Sequence, residues 1–219
     1  MILSIGDVLN AAEVANAVSV LNKARFVDGR ATAGFAARAV KSNAQARESE
    51  DIETLREMIA DRLRANAVFE VAARPKRFIG PMFSRYRVND AYGEHVDEPI
   101  MDGARTDISF TLFLSPPETY DGGELIIASP AGEDAVKLPA GSVIVYPSTT
   151  LHRVAPVTRG ERLAAVGWVR SFIRDAAQRE LLFELDTARR QLFEREGSSQ
   201  TFNLVSKSLA NLIRMWSED

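Results

Sequence analysis

The sequence predicts an α+β fold, with helices placed before and after a β-rich centre, and three observations carry that prediction. From about Phe78 to Arg170, short β-rich runs alternate with Gly/Pro/Asp punctuation. On both sides of that stretch the apolar period lengthens to the helical one. Helices and strands do not alternate as βαβ units, which argues against a doubly wound sheet and for a sandwich or barrel.

The elements follow in order. Asp7 is placed to cap a first helix, with Val8, Ala11, Val14, Val18 and Leu21 at helical spacing. Residues 28–46 are rich in Gly, Ala and Ser and read as a loop with a short helical turn. A second helix carries Ile52, Leu55, Ile59 and Leu63 on one face, and its acidic start, Glu48 to Glu53, suits the positive end of a helix dipole. Strands are expected at Phe83–Val88, Ile108–Leu114, Glu124–Ala128, Ser142–Tyr146, His152–Val157 and Arg162–Val169. Turns fall at Pro116-Pro117, Asp121-Gly122-Gly123, Ala131-Gly132 and Pro139-Ala140-Gly141. Beyond Val169, Ile173, Ala177, Leu181, Leu185, Ala188 and Leu192 form a helical stripe; Gly197-Ser198-Ser199 ends it, and a last amphipathic helix runs from Leu204 to Trp216. Two units result: 1–170, with its β core at about 78–170, and a helical extension at 171–219. The stripe of the extension has two readings, packing on the core or a seam between two copies of the chain.

Composition narrows the chemistry. The chain has 219 residues, 46% hydrophobic and 26% charged, with a net charge of −3 and dispersed basic residues. That is a globular composition without a nucleic-acid footprint. Neither a signal peptide nor a membrane span is legible, so a cytoplasmic protein is expected. No cysteine is present, so disulfides, thiolate nucleophiles, iron–sulfur clusters and cysteine-held zinc are excluded. A metal would have to be held by histidine and carboxylate, and there are only two histidines.

Both histidines sit in suggestive places. His95 and Asp97 are two apart, a spacing that puts side chains on one face of a strand. Gly93 just before them permits a bulge or a close backbone approach. His152 follows the strand ending at Tyr146-Pro147 and would complete the set from across the sheet. Two imidazoles and one carboxylate suit non-haem iron(II) and leave coordination positions open. The plain alternative is a pair of structural histidines. Arg162 shares a strand face with Ala164, Val166 and Trp168; inside a barrel it would need an anion, because an unpaired buried charge is costly. A dicarboxylate would serve, held bidentately; an ion pair with Glu161 is the ordinary alternative. Tyr86 and Tyr92 flank the approach to His95, either as core aromatics or as site residues.

Several segments together resemble the prolyl-4-hydroxylase-type iron(II)/2-oxoglutarate dioxygenases, and more closely the bacterial PKHD-type hydroxylases. They are Arg85-Tyr86, Tyr92-Gly93-Glu94-His95-Val96-Asp97, Thr111-Leu112-Phe113-Leu114, Asp121-Gly122-Gly123-Glu124-Leu125 and Ala140-Gly141-Ser142 through His152-Arg153-Val154. The tail ending Asn211-Leu212-Ile213-Arg214-Met215-Trp216 is similar to that group's C-terminal extension. The resemblance implies a distorted double-stranded β-helix, or jelly roll, with N-terminal helices packed on it. It implies iron held by His95, Asp97 and His152, and 2-oxoglutarate held by Arg162 with Tyr86. Ala164 stands where some relatives have a serine, which leaves more of the carboxylate recognition to Tyr86 or to another donor. The implied activity is hydroxylation of a small-molecule or peptidyl substrate with O2, with decarboxylation of 2-oxoglutarate to succinate and CO2. Ascorbate is implied as a reductant, and some members of the family are associated with iron uptake. Two other functional classes fit the ligand set: a cupin-like metalloenzyme, and a non-catalytic iron/2-oxoglutarate sensor.

Overall fold

The structure, a computed structural model, describes residues 1–32 and 34–219. The chain opens with β1 (Leu3–Ile5), α1 (Ala11–Lys23), β2 (Phe26–Asp28), α2 (Phe35–Ala39), β3 (Lys41–Ser42) and β4 (Ala44–Ala46). Two helices, α3 (Glu50–Ala65) and α4 (Ala67–Ala73), lead to β5 (Pro75–Tyr86), β6 (Ala91–His95), β7 (Ile100–Met101) and β8 (Ala104–Arg105). The centre continues through β9 (Ile108–Phe113), β10 (Asp121–Gly122), β11 (Leu125–Ser129), β12 (Gly132–Val136) and β13 (Val143–Pro147). It closes with β14 (His152–Val154), β15 (Val157–Arg159) and β16 (Arg162–Ser171), before α5 (Ala176–Glu196) and α6 (Gln200–Trp216).

Two antiparallel sheets face each other. The larger runs β1-β13-β9-β16-β5-β4-β2 and the smaller β12-β11-β14-β6-β3. Alternation along the larger sheet sorts its side chains. Phe83, Phe110, Leu112, Val143, Val145, Leu163, Ala165 and Val169 join Leu21, Ile52, Leu55, Ile59, Leu63 and Phe69 of the helices in one core. Tyr86, Phe113, Ile144 and Tyr146 point the other way, to meet Leu125, Ile127, Val154 and Val157 of the smaller sheet. Covered on both faces, β9 is buried at every position, yet it alternates: Ile108, Phe110 and Leu112 are apolar, and Ser109 and Thr111 between them are polar.

The expected α3 stripe is the buried one. Other expectations need correction. Asp7 is not the cap of α1: Asn10 caps it, its Oδ1 accepting from the Glu13 amide at 3.0 Å while Glu13 Oε2 accepts from the Asn10 amide at 2.9 Å. The stretch 28–46 is more than a loop, since β3 pairs with β6 and β4 with β5; these short strands are specified by their ladder partners, not by a pattern of their own. Within that stretch Ala33 lies outside the described residues. The Ala131-Gly132 turn is followed by β12, an exposed edge strand without an apolar face. The expected stripe of the extension holds only in part: Ile173 is buried and Leu185 packs beside it, but Ala177, Leu181 and Ala188 are exposed, and Arg179, Leu182 and Asp186 are buried. Partners explain the departure. Arg179 Nη1 donates to the Ile173 and Arg174 carbonyls at 2.8 and 2.7 Å, and Asp186 accepts from Arg189 and Arg190. The extension packs through Ile173, Leu182 and Leu209, with Leu185, Leu212, Ile213 and Trp216. It is pinned where Ile173 bridges Ser217.

Candidate metal and co-substrate site

His95 is the last residue of β6 and His152 the first of β14, and the two are direct partners across adjacent antiparallel strands. Asp97 lies two residues past the end of β6, so a loop carries it, not the strand that its spacing suggested. One donor atom from each of His95, Asp97 and His152 lies within 4.8 Å of the others. His152 Nε2 is 3.8 Å from Asp97 Oδ2.

Both imidazoles are oriented from behind. His95 Nδ1 is 2.8 Å from the Gly93 carbonyl and His152 Nδ1 is 3.0 Å from the Thr150 carbonyl. A carbonyl only accepts, so each Nδ1 carries the proton and each Nε2 offers a lone pair, the tautomer a metal requires. Burial, and then the neighbouring His152, holds His95 down at about 4, so it stays neutral near pH 7. The Tyr92 ring stacks on His95 with centroids 3.6 Å apart, while Gly93 lets the strand approach Val40, whose carbonyl accepts from the Gly93 amide at 2.8 Å. A Cβ at Gly93 would lie 2.7 Å from Val40 Cβ.

The same cavity, about 580 Å³, contains Tyr86, Thr111, Tyr146 and Arg162. Arg162 is 1% exposed, and its Nε and Nη1 have no hydrogen-bond partner. Its guanidinium carbon sits 5.2 Å from the Tyr86 ring centroid and 5.3 Å from that of Phe113. Among the described residues it makes no ion pair; Glu161 instead takes Arg85 and Arg87. Tyr86 is the cross-strand partner of Arg162. Burial pushes its phenol up, against the charge of Arg162, so it stands as a neutral donor. Gly123 makes room for this arrangement: a Cβ there would lie 3.1 Å from Arg162 Cδ and 3.2 Å from the Tyr120 ring. The donor set and the orphaned cation therefore fit an iron(II) ion and an anionic co-substrate.

Two family models match this chain. The 2OG-Fe(II) oxygenase superfamily matches residues 81–170, and the PKHD-type hydroxylase C-terminal domain matches residues 176–218. A PKHD-type hydroxylase of Synechococcus elongatus is 52% identical over 223 residues, covering 100% of both chains. The chain belongs to the PKHD-type hydroxylases. Membership makes it an oxygenase that uses iron(II) and 2-oxoglutarate. Two solved structures share the fold alone. A Pseudomonas putida prolyl-4-hydroxylase is 21% identical, with a TM-score of 0.54 over 78% of this chain and 92% of its own. A prolyl hydroxylase from Trichoplax adhaerens, solved with a hypoxia inducible factor oxygen degradation domain peptide fragment, is 15% identical, with a TM-score of 0.57 over 82% and 86%. The two facing sheets are thus a jelly roll, as expected.

Other parts of the hydroxylase's site carried little signal in the sequence. Lys41 comes from β3, with its ammonium 4.9 Å from the Tyr92 centroid, and burial brings it down to about 8. Ile79, Met82, Met101, Val166 and Trp168 make an apolar wall of the cavity, and the Trp168 indole N–H has no partner. The segment after β6 contributes Glu98, Met101 and Asp102 to the cavity, and β5 contributes Ile79 and Gly80. No helix among the described residues is long and apolar enough to cross a membrane.

Proposed function

We propose that His95, Asp97 and His152 hold the iron of this hydroxylase, and that Arg162 with Tyr86 holds the distal carboxylate of 2-oxoglutarate. The observation that carries the reading is the orphaned, buried Arg162 guanidinium facing the same cavity as a His–Asp–His cluster. Iron(II) with 2-oxoglutarate and O2 supplies an oxidation in which R–H becomes R–OH while 2-oxoglutarate becomes succinate and CO2. The residues do the rest. The two Nδ1 protons stay on backbone carbonyls, keeping both Nε2 atoms turned to the metal. Arg162, itself buried, offers a fork to a carboxylate, and such a charge-assisted pair is strong. The wall of Ile79, Met82, Met101, Val166 and Trp168 receives the molecule to be hydroxylated, with the indole N–H free to meet an acceptor oxygen.

Within this reading, residues 1–170 are the oxygenase domain and 171–219 a helical extension, and ascorbate serves as the reductant that restores iron(II). The test is succinate formation from 2-oxoglutarate with iron(II) under air. Wild-type protein is expected to release succinate, at least slowly, without added substrate. His152→Ala is expected to abolish both release and metal binding. A wild-type protein that binds iron and forms no succinate would turn the reading toward a sensor.

A further inference from the structure

Asp97 is the one ligand of the proposed set carried on a loop, and two serines hold it from behind. Ser109 Oγ, on β9, lies 2.5 Å from Asp97 Oδ2. Ser148 Oγ, in the turn after β13, lies 2.9 Å from Ser109 Oγ. Both serines are buried. An ionised carboxylate only accepts, and a hydroxyl has one proton to donate. Ser109 therefore commits its proton to Asp97, and Ser148 donates to Ser109. The relay has a direction, and its last bond is as short as charge-assisted O–H···O⁻ bonds are.

The far end of the relay is anchored. The Ser148 amide donates to the Asp107 carbonyl at 3.2 Å. The Asp107 carboxylate accepts from Arg105 Nε at 2.6 Å and from the Ser171 amide at 2.9 Å, which ties it to the end of β16. The loop carboxylate is thus held directly by β9, through Ser109, and indirectly by the ends of β13 and β16, through Ser148 and Asp107.

We propose that Ser109 is a positioning residue for the metal carboxylate, fixing the rotation of Asp97 and occupying one lone pair of Oδ2, with Ser148 aligning Ser109. This rests on the assignment of Asp97 as an iron ligand. Without the Ser109 bond, the loop carboxylate is free to turn away or to close both oxygens on the metal, using a position the co-substrate needs.

The test is a cobalt(II) titration of full-length, metal-stripped protein, followed by ligand-field absorption, with a thermal melt of each protein before metal is added. Ser109→Ala is expected to bind cobalt about 10- to 100-fold more weakly, the usual size for loss of a hydrogen-bonding partner behind a ligand. Its spectrum should change shape. Ser109→Thr keeps the hydroxyl and should recover most of the affinity, and Ser148→Ala should lose less than Ser109→Ala. Wild-type affinity and spectrum in Ser109→Ala would overturn the proposal, as would equal losses in the Ala and Thr variants. If Ser109→Ala does not fold, Ser148→Ala decides: weaker cobalt binding supports the relay, and unchanged affinity and spectrum reject it. His152→Ala in the same titration separates the two claims, because retained cobalt there rejects the ligand set itself.

Discussion

The two faces of the seven-stranded sheet come from alternate residues of the same strands, yet they obey different rules. On the helix side Phe110 meets Phe69 and Phe78 edge-on, with centroids at 6.0 and 6.3 Å, and Gly167 leaves the space that Phe110 fills. On the cavity side the neighbouring positions are Ser109 and Thr111, and β16 offers Arg162. One face is satisfied mainly by packing, and its buried Arg85 finds the Leu21 carbonyl and the Phe26 ring within the protein. The other contains polar atoms that the protein itself leaves unpaired, and those atoms mark the ligands.

Phe110→Ala probes the packed face and should have the largest effect, about 3–5 kcal/mol of stability by denaturant unfolding. Folded variant protein should keep wild-type 2-oxoglutarate affinity; a selective loss of that affinity would show the faces are not separable. Arg162→Met probes the cavity face. It should weaken 2-oxoglutarate binding by about 1.5–3 kcal/mol, the size of hydrogen bonds to charged groups. The ligand-free protein should be no less stable, because a buried charge without a partner has been removed. Marked destabilisation of the ligand-free variant would show that the guanidinium is satisfied internally.

The smallest effect concerns His95. Its ordinary pKa of 6.5 is lowered to about 4 in the folded protein, by burial and then by His152. Between those values the unfolded chain carries a proton that the folded one lacks. The stability tied to this group is therefore present above about pH 6.5 and falls as the pH drops toward 4. Proton NMR of the metal-free protein should find the His95 titration near that lower value; a midpoint close to 6.5 would place the ring in solvent.

The comparison also explains what could be read in advance. Strands such as β9, β13 and β16 were legible because they are rich in apolar and β-branched residues between turn signals, with Ile108, Phe110 and Leu112 alternating with Ser and Thr in β9 and Val143, Ile144 and Val145 running together in β13. That His95, Asp97 and His152 come together could be anticipated because the chain has only two histidines and one of them stands two residues from an aspartate. Ser109, Ser148 and Lys41 were not legible, since a serine or lysine becomes informative only once the fold shows what it faces. β3 and β12 were missed because their pairing is imposed by neighbours, and α4, only seven residues long, is too short for a helical period to assert itself. The α5 stripe was misread in part because Arg179 and Asp186 are buried with partners that no local pattern reveals.

The pairing of β5 with β16 has a temporal consequence. Tyr86 sits opposite Arg162, and Trp168 opposite Ile79, so the middle of the large sheet joins segments far apart in the chain. Such contacts form only after a long loop has closed, and they make folding slow compared with local pairing. His95 and Asp97 leave the ribosome well before His152 and Arg162. During synthesis the protein therefore passes through a long interval in which two of the three proposed metal donors exist without the third, and the cavity beside them closes only with the last strand.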